Sequence, residues 1–298
     1  MLPLIEGTCK ERELLDDVLL LVVTAIDDLR VSMKPFRIYQ ADAFASELFK
    51  GNPAAVVPLE KWLSDDLLQK IAIENNLSET AFYVSNGSGF DLRWFTPGFE
   101  VDLCGHATLA TAHILFEQEG FPGDEVRFHT RVGELIVRKS EDGYVMDFPI
   151  DELKPLPIPD YLPQALATEV HEVYEGREDL LAIVSDQRTV ETLDPDQHLL
   201  SKPDARGVIV SAAGDEVDFV SRCFFPKAGI PEDPVTGSAH TTMAAYWSPK
   251  LGKTKLKAKQ LSARGGDVGV EVLGDRVLLT GTAKTFMKGE IYLPHANQ

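Results

Sequence analysis

FDLRWFTPGFEVDLCGHATLATAH, Phe90 to His113, has a second version further along the chain: VDFVSRCFFPKAGIPEDPVTGSAH, Val217 to His240. Arg93-Trp-Phe-Thr-Pro97 is echoed by Arg222-Cys-Phe-Phe-Pro226 as R-x-F-x-P. Each copy closes a strand-like run, passes through a short acidic loop and opens a helix on glycine, Gly105 in one and Gly237 in the other. A repeat of this kind sets the architecture before any single motif is read.

The order of elements around the two copies agrees. WLSDDLLQKIAIENN, with Ser64 as the expected N-cap, and the strand ETAFYVS precede the first; TVETLDPDQHLLSK, read as helical, and GVIVS precede the second. Hairpin signals follow each helix, with turns expected at Asp142-Gly143 and at Gly274-Asp275. Between the halves runs FPIDELKPLPIPDYLP, whose prolines suit a stiff crossover. The spacing predicts two versions of one unit, residues 33–150 and 151–284, with a C-terminal strand near 285–298 that could join the first.

Residues 1–32 stand apart. Their apolar run, Val18 to Ile26, is bracketed by Asp16, Asp17, Asp27 and Asp28, and a membrane span needs about 20 apolar residues. Lys10 and Arg12 alternate with Glu11 and Glu13, which does not suit a signal peptide. The segment reads as a peripheral helix or as a leader translated from upstream of Met33, where strand-like alternation begins.

The chain has 298 residues, with 29 Lys and Arg against 47 Asp and Glu, a net charge of -18. That charge repels a phosphate backbone or an anionic membrane, so neither nucleic acid nor membrane is expected as a partner. Cys9, Cys104 and Cys223 are far apart, with no zinc-site spacing. A reducing, cytoplasmic setting fits. There is no Walker sequence, no Gly-rich nucleotide loop after a strand, and no nucleophile elbow, since TGSAH lacks its pattern.

If the halves pack about a pseudo-twofold axis, the helices from Gly105 and Gly237 could both aim their N-termini into one cleft. Each carries unpaired N–H groups and about half a positive charge, so the pair would suit a carboxylate. Read alone, Gly237 could equally serve a tight turn, and Ser238 or Thr236 a cap.

FKGNPAAVV (Phe49 to Val57), LSETAFYV (Leu77 to Val84), RWFTPGFEVDLCGHATLATAH (Arg93 to His113) and EDPVTGSAH (Glu232 to His240) closely resemble the PhzF family, the phenazine biosynthesis-like proteins of diaminopimelate epimerase-like fold. The resemblance runs from Met33 to the C-terminus. It implies an α+β protein of two pseudo-symmetric domains, each a β-barrel-like sheet around a central helix, with the active site between them. It also implies a homodimer and an isomerase needing no cofactor, which removes a proton from carbon in a small carboxylic or cyclic amino acid and returns it elsewhere. The family's general base falls at Glu79, with His106 and Asp233 as further catalytic candidates. Ser238, Gly105, Gly237, Thr236 and Asn52 are the substrate-binding candidates.

Local chemistry is compatible with these roles. Alternation places Glu79 on one strand face with Leu77, Ala81 and Tyr83, an inward setting that suits a proton-shuttling base, although a surface Glu near a strand edge has the same pattern. Matching the halves at Val84-Ser85 and Val210-Ser211 sets Ala205 opposite Glu79, so one base is expected. A helix start disfavours charge on His106 and suits it to hydrogen bonding, relay or simple capping. Asp233 before Pro234 also fits a plain turn. His106 and His113 share a helical face without a third ligand, so no metal is expected. Two-thiol racemases of this fold carry a Cys at each helix start; here Cys104 is present and Pro234 is read at the second place, leaving Cys104 as a packed or auxiliary group. The rival to an isomerase is a binding or regulatory protein that keeps the cleft without turnover.

Overall fold

The computed structural model describes residues 33–202 and 204–294, so the expectations for 1–32 and for Cys9 lie outside the described residues. The first half runs β1 (Met33–Ala43), β2 (Asn52–Leu59), α1 (Asp65–Asn75), β3 (Glu79–Ser85), β4 (Phe90–Phe95), β5 (Glu100–Val101), α2 (Gly105–Glu117), β6 (Glu125–Thr130), β7 (Gly133–Ser140) and β8 (Gly143–Pro149). The second half begins with β9 (Lys154–Leu156), α3 (Tyr161–Leu166), β10 (Glu172–Glu175), β11 (Leu180–Ile183), α4 (Gln187–Glu191), α5 (Gln197–Leu200), β12 (Val208–Ala213) and β13 (Phe219–Phe225). It ends with β14 (Ile230–Asp233), α6 (Gly237–Leu251), β15 (Lys255–Gln260), β16 (Gly266–Leu273), β17 (Arg276–Gly281) and β18 (Ala283–Pro294). Tyr39–Lys288 form one compact unit. Among the described residues, no helix is long and apolar enough to cross a membrane.

The strand pairings repeat as the sequence does. β1 is antiparallel to β2, β2 parallel to β3, β3 antiparallel to β4, and β4 parallel to β6, which continues antiparallel through β7 to β8. β10, β11, β12, β13, β15, β16 and β17 follow the same series of pairings. The halves join where β8 pairs antiparallel with β17, Asp147 opposite Leu278.

The strands of each half pack around one helix of mainly small, apolar, Thr and His residues, nearly free of charged side chains, as suits a buried helix. His106 to Phe116 of α2 are buried on every side, and small Ala107, Ala110 and Ala112 let the strands come close. α6 buries Ala239, His240, Thr242, Met243, Ala244, Tyr246, Trp247 and Ser248. The main core surrounds both helices, and a smaller one, including Leu162, Val173, Val190 and Phe224, lies in the second half.

The R-x-F-x-P repeat has a structural use. Arg93 donates from Nε and Nη2 to both oxygens of Glu100, each at 2.7 Å, and lies 5.1 Å from the Phe95 ring centre. Arg222 does the same to Glu232, at 2.7 and 2.8 Å, with Phe224 at 5.2 Å. A planar guanidinium fork is selective for this bidentate geometry. In each half it fastens the short strand, β5 or β14, that leads into the buried helix.

Local expectations needed adjustment in four places. Ser64 is the N-cap of α1, but its side chain makes no capping bond. The segment expected to be one helix after β11 is two, α4 and α5, because Pro195 cannot continue a helix and Asp196 starts the next turn by accepting from the N–H groups of His198 and Leu199. The first hairpin turns on Glu141-Asp142, leaving Gly143 in the strand, where a Cβ would stand 2.5 Å from the Gly281 carbonyl oxygen across the seam. The proline-rich crossover contains a three-residue strand, β9, and the short helix α3.

The strand registers also correct the match to Glu79. Phe82 faces Arg93 and Val210 faces Arg222, so superposing the two arginines sets Gly207, not Ala205, at the counterpart of Glu79. A Cβ at Gly207 would lie 2.2 Å from Cδ1 of Phe225 and 2.5 Å from the Phe224 carbonyl oxygen. Gly207→Ala is therefore expected to cost about 1–3 kcal/mol, the range for overpacking a core. An unchanged urea midpoint would mean that Phe225 and the strand can yield.

Candidate active site

The helix starts meet. A Cβ built on Gly105 would be 3.8 Å from Cα of Gly237, and the reverse distance is the same. The N-cap residues are Cys104 and Thr236, and neither side chain caps its helix, which leaves first-turn N–H groups for another acceptor. Thr236 is thus the counterpart of Cys104, where Pro234 had been expected. The absence of a second thiol at this place is unchanged by the correction.

Beside this junction lies a cleft of about 640 Å3. Glu79, His106, Asp233, Thr236, Ser238, Gly105 and Gly237 all line it. Asn52, also a candidate, is not among its lining residues. It is fully buried, and its Nδ2 donates to Asp233 Oδ1 at 2.8 Å and to the Val235 carbonyl at 3.0 Å, 3.3 Å from His106 Nδ1. The side chain ties the start of β2 to the loop before α6, and so to the second half.

Glu79 opens β3, of which six residues out of seven are buried because α1 packs against it as well as α2. Alternation therefore does not distinguish the two faces of this strand. Glu79 Oε2 stands 3.0 Å from His106 Nε2, yet the pair is not aligned as a hydrogen bond and neither atom has another partner. Both side chains are nearly sealed from solvent, so their remaining capacity faces the cleft.

The charge on His106 runs against the sequence expectation. Burial opposes protonation, but Cys104 and Glu79 outweigh it and hold the imidazole pKa well above its ordinary value. Burial, reinforced by Glu79, raises the Cys104 thiol, while His106 pulls it the other way. The Glu79 carboxyl lies 3.0 Å from the ring.

Asp233 is pushed up to about 6, first by burial and with Glu79 adding to it; His106 and the bonds from Thr236 and Asn52 pull the other way. Its carboxylate accepts from the Thr236 hydroxyl on one oxygen and from Asn52 on the other. Gln260, with no sequence signal of its own, completes the support by donating to the Asp233 carbonyl at 2.7 Å and accepting from Thr236 N–H at 2.9 Å.

Two other histidines are structural. His113 bonds to the hydroxyls of Tyr144 at 3.0 Å and Thr285 at 2.9 Å, and burial lowers its pKa to about 4. His240 donates Nδ1–H to the Thr236 carbonyl at 2.8 Å and is also lowered to about 4 by burial. Among the described residues, one set of three side chains could hold a metal: Glu79, Cys104 and His106, with donor atoms within 4.8 Å of one another.

The opposite wall holds residues that sequence reasoning missed. Arg206 and Asp179 line the cleft as an ion pair, with Asp179 buried. An arginine in KPDARGVIV carries no visible sign that its partner lies 27 residues earlier.

The phenazine biosynthesis-like protein family model matches residues 41–289. A protein of Pseudomonas aeruginosa named as an uncharacterized isomerase is 50% identical over 256 residues, 86% of this chain and 98% of the relative. A crystal structure of a PhzF-family phenazine biosynthesis protein from Enterococcus faecalis matches with a TM-score of 0.85 at 50% identity, covering 87% of this chain and all of that one. A hydroxyproline epimerase from Agrobacterium vitis, at 12% identity and a TM-score of 0.54 over 87% of this chain and 93% of its own, shares the fold.

Proposed function

We propose that this chain, which belongs to the phenazine biosynthesis-like (PhzF) protein family, is an isomerase that moves a proton on a small carboxylic acid by means of one carboxylate, Glu79. The observation that carries this reading is the asymmetry of the cleft. Glu79 faces His106 at 3.0 Å in the first half, while its counterpart in the second half is Gly207 and the counterpart of Cys104 is Thr236. Inversion at carbon needs a base on each face, and the second-half counterparts of Glu79 and Cys104, Gly207 and Thr236, supply none. Glu79 would take a proton from substrate carbon and return it to another position on the same face.

The neighbours have distinct parts. His106, kept charged beside Glu79, offers Nε2–H to the carboxylate or to an oxygen developing charge on the substrate. Asp233 and Asn52 hold His106 and the start of α6 in fixed relation. The substrate carboxylate is placed at the facing helix starts, where Ser238 and first-turn N–H groups receive it.

The test is incubation of the protein in D2O with a panel of small carboxylic and cyclic amino acids, followed by proton NMR. One class is expected to show deuterium on carbon together with an isomeric product. Deuterium alone could be lost if the closed site returned the original proton, so product is scored as well. A ligand that raises the melting temperature and occupies the cleft, yet yields neither, favours the silent binding protein.

A further inference from the structure

We propose that Arg206 is a positioning residue for the carboxylate seat at the start of α6, acting by fixing the direction of the Ser238 hydroxyl. The inference rests on the carboxylate reading given above and assigns one half of the cleft to proton movement and the other to anion recognition.

The repeat points to the residue. Superposing Arg93 on Arg222 sets Gly207 over Glu79, and superposing the helix starts sets Ser238 over His106. The contact between Glu79 and His106 therefore has a counterpart, and Arg206 and Ser238 provide it: Arg206, one residue before Gly207, donates from Nη2 to Ser238 Oγ at 3.1 Å. An acid and an imidazole on one side are matched by a guanidinium and a hydroxyl on the other.

The guanidinium is held from three directions. Its Nε donates to Asp179 Oδ1 at 2.9 Å and its Nη2 to Asp179 Oδ2; Nη1 meets Glu178 Oε2 at 2.8 Å; and the group lies 5.1 Å from the Phe225 ring centre. Asp179 is buried, so the pair is anchored below the cleft surface while the edge carrying Nη2 reaches Ser238.

A guanidinium can only donate. Ser238 Oγ must therefore accept from Arg206, and its own proton points elsewhere, with no acceptor among the described residues. Accepting from a charged donor also polarises the hydroxyl and makes its proton a stronger donor. Because Asp179 and Glu178 neutralise Arg206, the seat would recognise an acid by directed O–H and N–H groups rather than by excess positive charge.

Benzoate and its neutral isostere benzamide are suitable probes, since Phe99, Phe148 and Phe225 line the same cleft. Binding to the full chain is measured by isothermal titration calorimetry. The wild type is expected to prefer benzoate by about tenfold or more, and Ser238→Ala and Arg206→Met each to weaken benzoate by about tenfold and benzamide by clearly less, since a carboxylate accepts more strongly than an amide carbonyl. The double variant should be no weaker than the weaker single variant, and Arg206→Lys should recover part of the loss.

Arg206→Met leaves Asp179 buried without its partner, so the pair Asp179→Asn with Arg206→Met is measured alongside, with thermal melts to establish folding. Independent losses that multiply in the double variant would overturn the positioning role, as would folded Arg206 variants that bind benzoate like wild type. If the wild type shows no preference for benzoate, the carboxylate seat itself fails and the role of Arg206 with it. If the preference exists and only Ser238→Ala removes it, the seat stands and Arg206 is excluded.

Discussion

Glu79→Gln is expected to bind the substrate about as well as wild type and to turn it over at least about 100-fold more slowly, the usual worth of a positioned general base. Gln preserves the shape of the side chain at the start of β3 but cannot take up a proton at neutral pH. The measurement is product formation and deuterium uptake with whichever acid the D2O panel identifies, alongside a thermal shift for binding. Cys104 provides the internal comparison, because its Sγ is 3.5 Å from His106 Nδ1 and lines the same cleft. Should Cys104→Ser carry the loss while Glu79→Gln stays active, the base is the thiol and the roles proposed here are wrong.

The second large effect is on stability. With the Asp233 pKa raised from 3.8 to about 6 in the folded protein, the folded state holds a proton that the unfolded chain releases earlier. That contribution is fully present below about pH 4 and is lost as pH rises through about 6. Its size is up to about 3 kcal/mol, at about 1.4 kcal/mol per pKa unit. The unfolding free energy of wild type minus that of Asp233→Asn, from urea titrations between pH 4 and 7, should fall by that order as pH increases. A difference that grows with pH would mean that attraction to His106 outweighs burial and that Asp233 is stabilised as an anion.

The repeat was legible in the sequence because its signature residues do the same mechanical work twice: Arg93 with Glu100 and Arg222 with Glu232 leave the same R-x-F-x-P pattern in the chain, although the acid follows its arginine by seven residues in one half and by ten in the other. Glu79, His106, Asp233 and Ser238 were legible as motif residues, and the cleft brings their positions together. Other features depend on tertiary context. The burial of both faces of β3 follows from α1, which alternation cannot reveal. The raised pKa of His106 follows from Cys104 beside it together with a carboxylate 27 residues away, which outweigh its burial. Asn52 looked like a substrate contact, and its burial between His106 and Asp233 is set by a loop 181 residues further on. Gly207 could be matched to Glu79 only through strand register, since counting from the nearest sequence likeness lands two residues away.

The seam between β8 and β17 bears on how such a molecule could arise. Each is the last strand of its repeat, and each completes its hydrogen bonding only on the other half. A protein of one repeat would carry this strand as a bare edge, and two identical strands running antiparallel can satisfy one another about a twofold axis. A single-repeat ancestor would thus close its sheet as a dimer, with assembly dependent on concentration and with any change made in one half imposed on both. Fusion of the two copies into one chain removes both constraints. Only then could one side retain a carboxylate while the other gave up even a Cβ, so the inequality of Glu79 and Gly207 is a freedom that follows from covalent linkage.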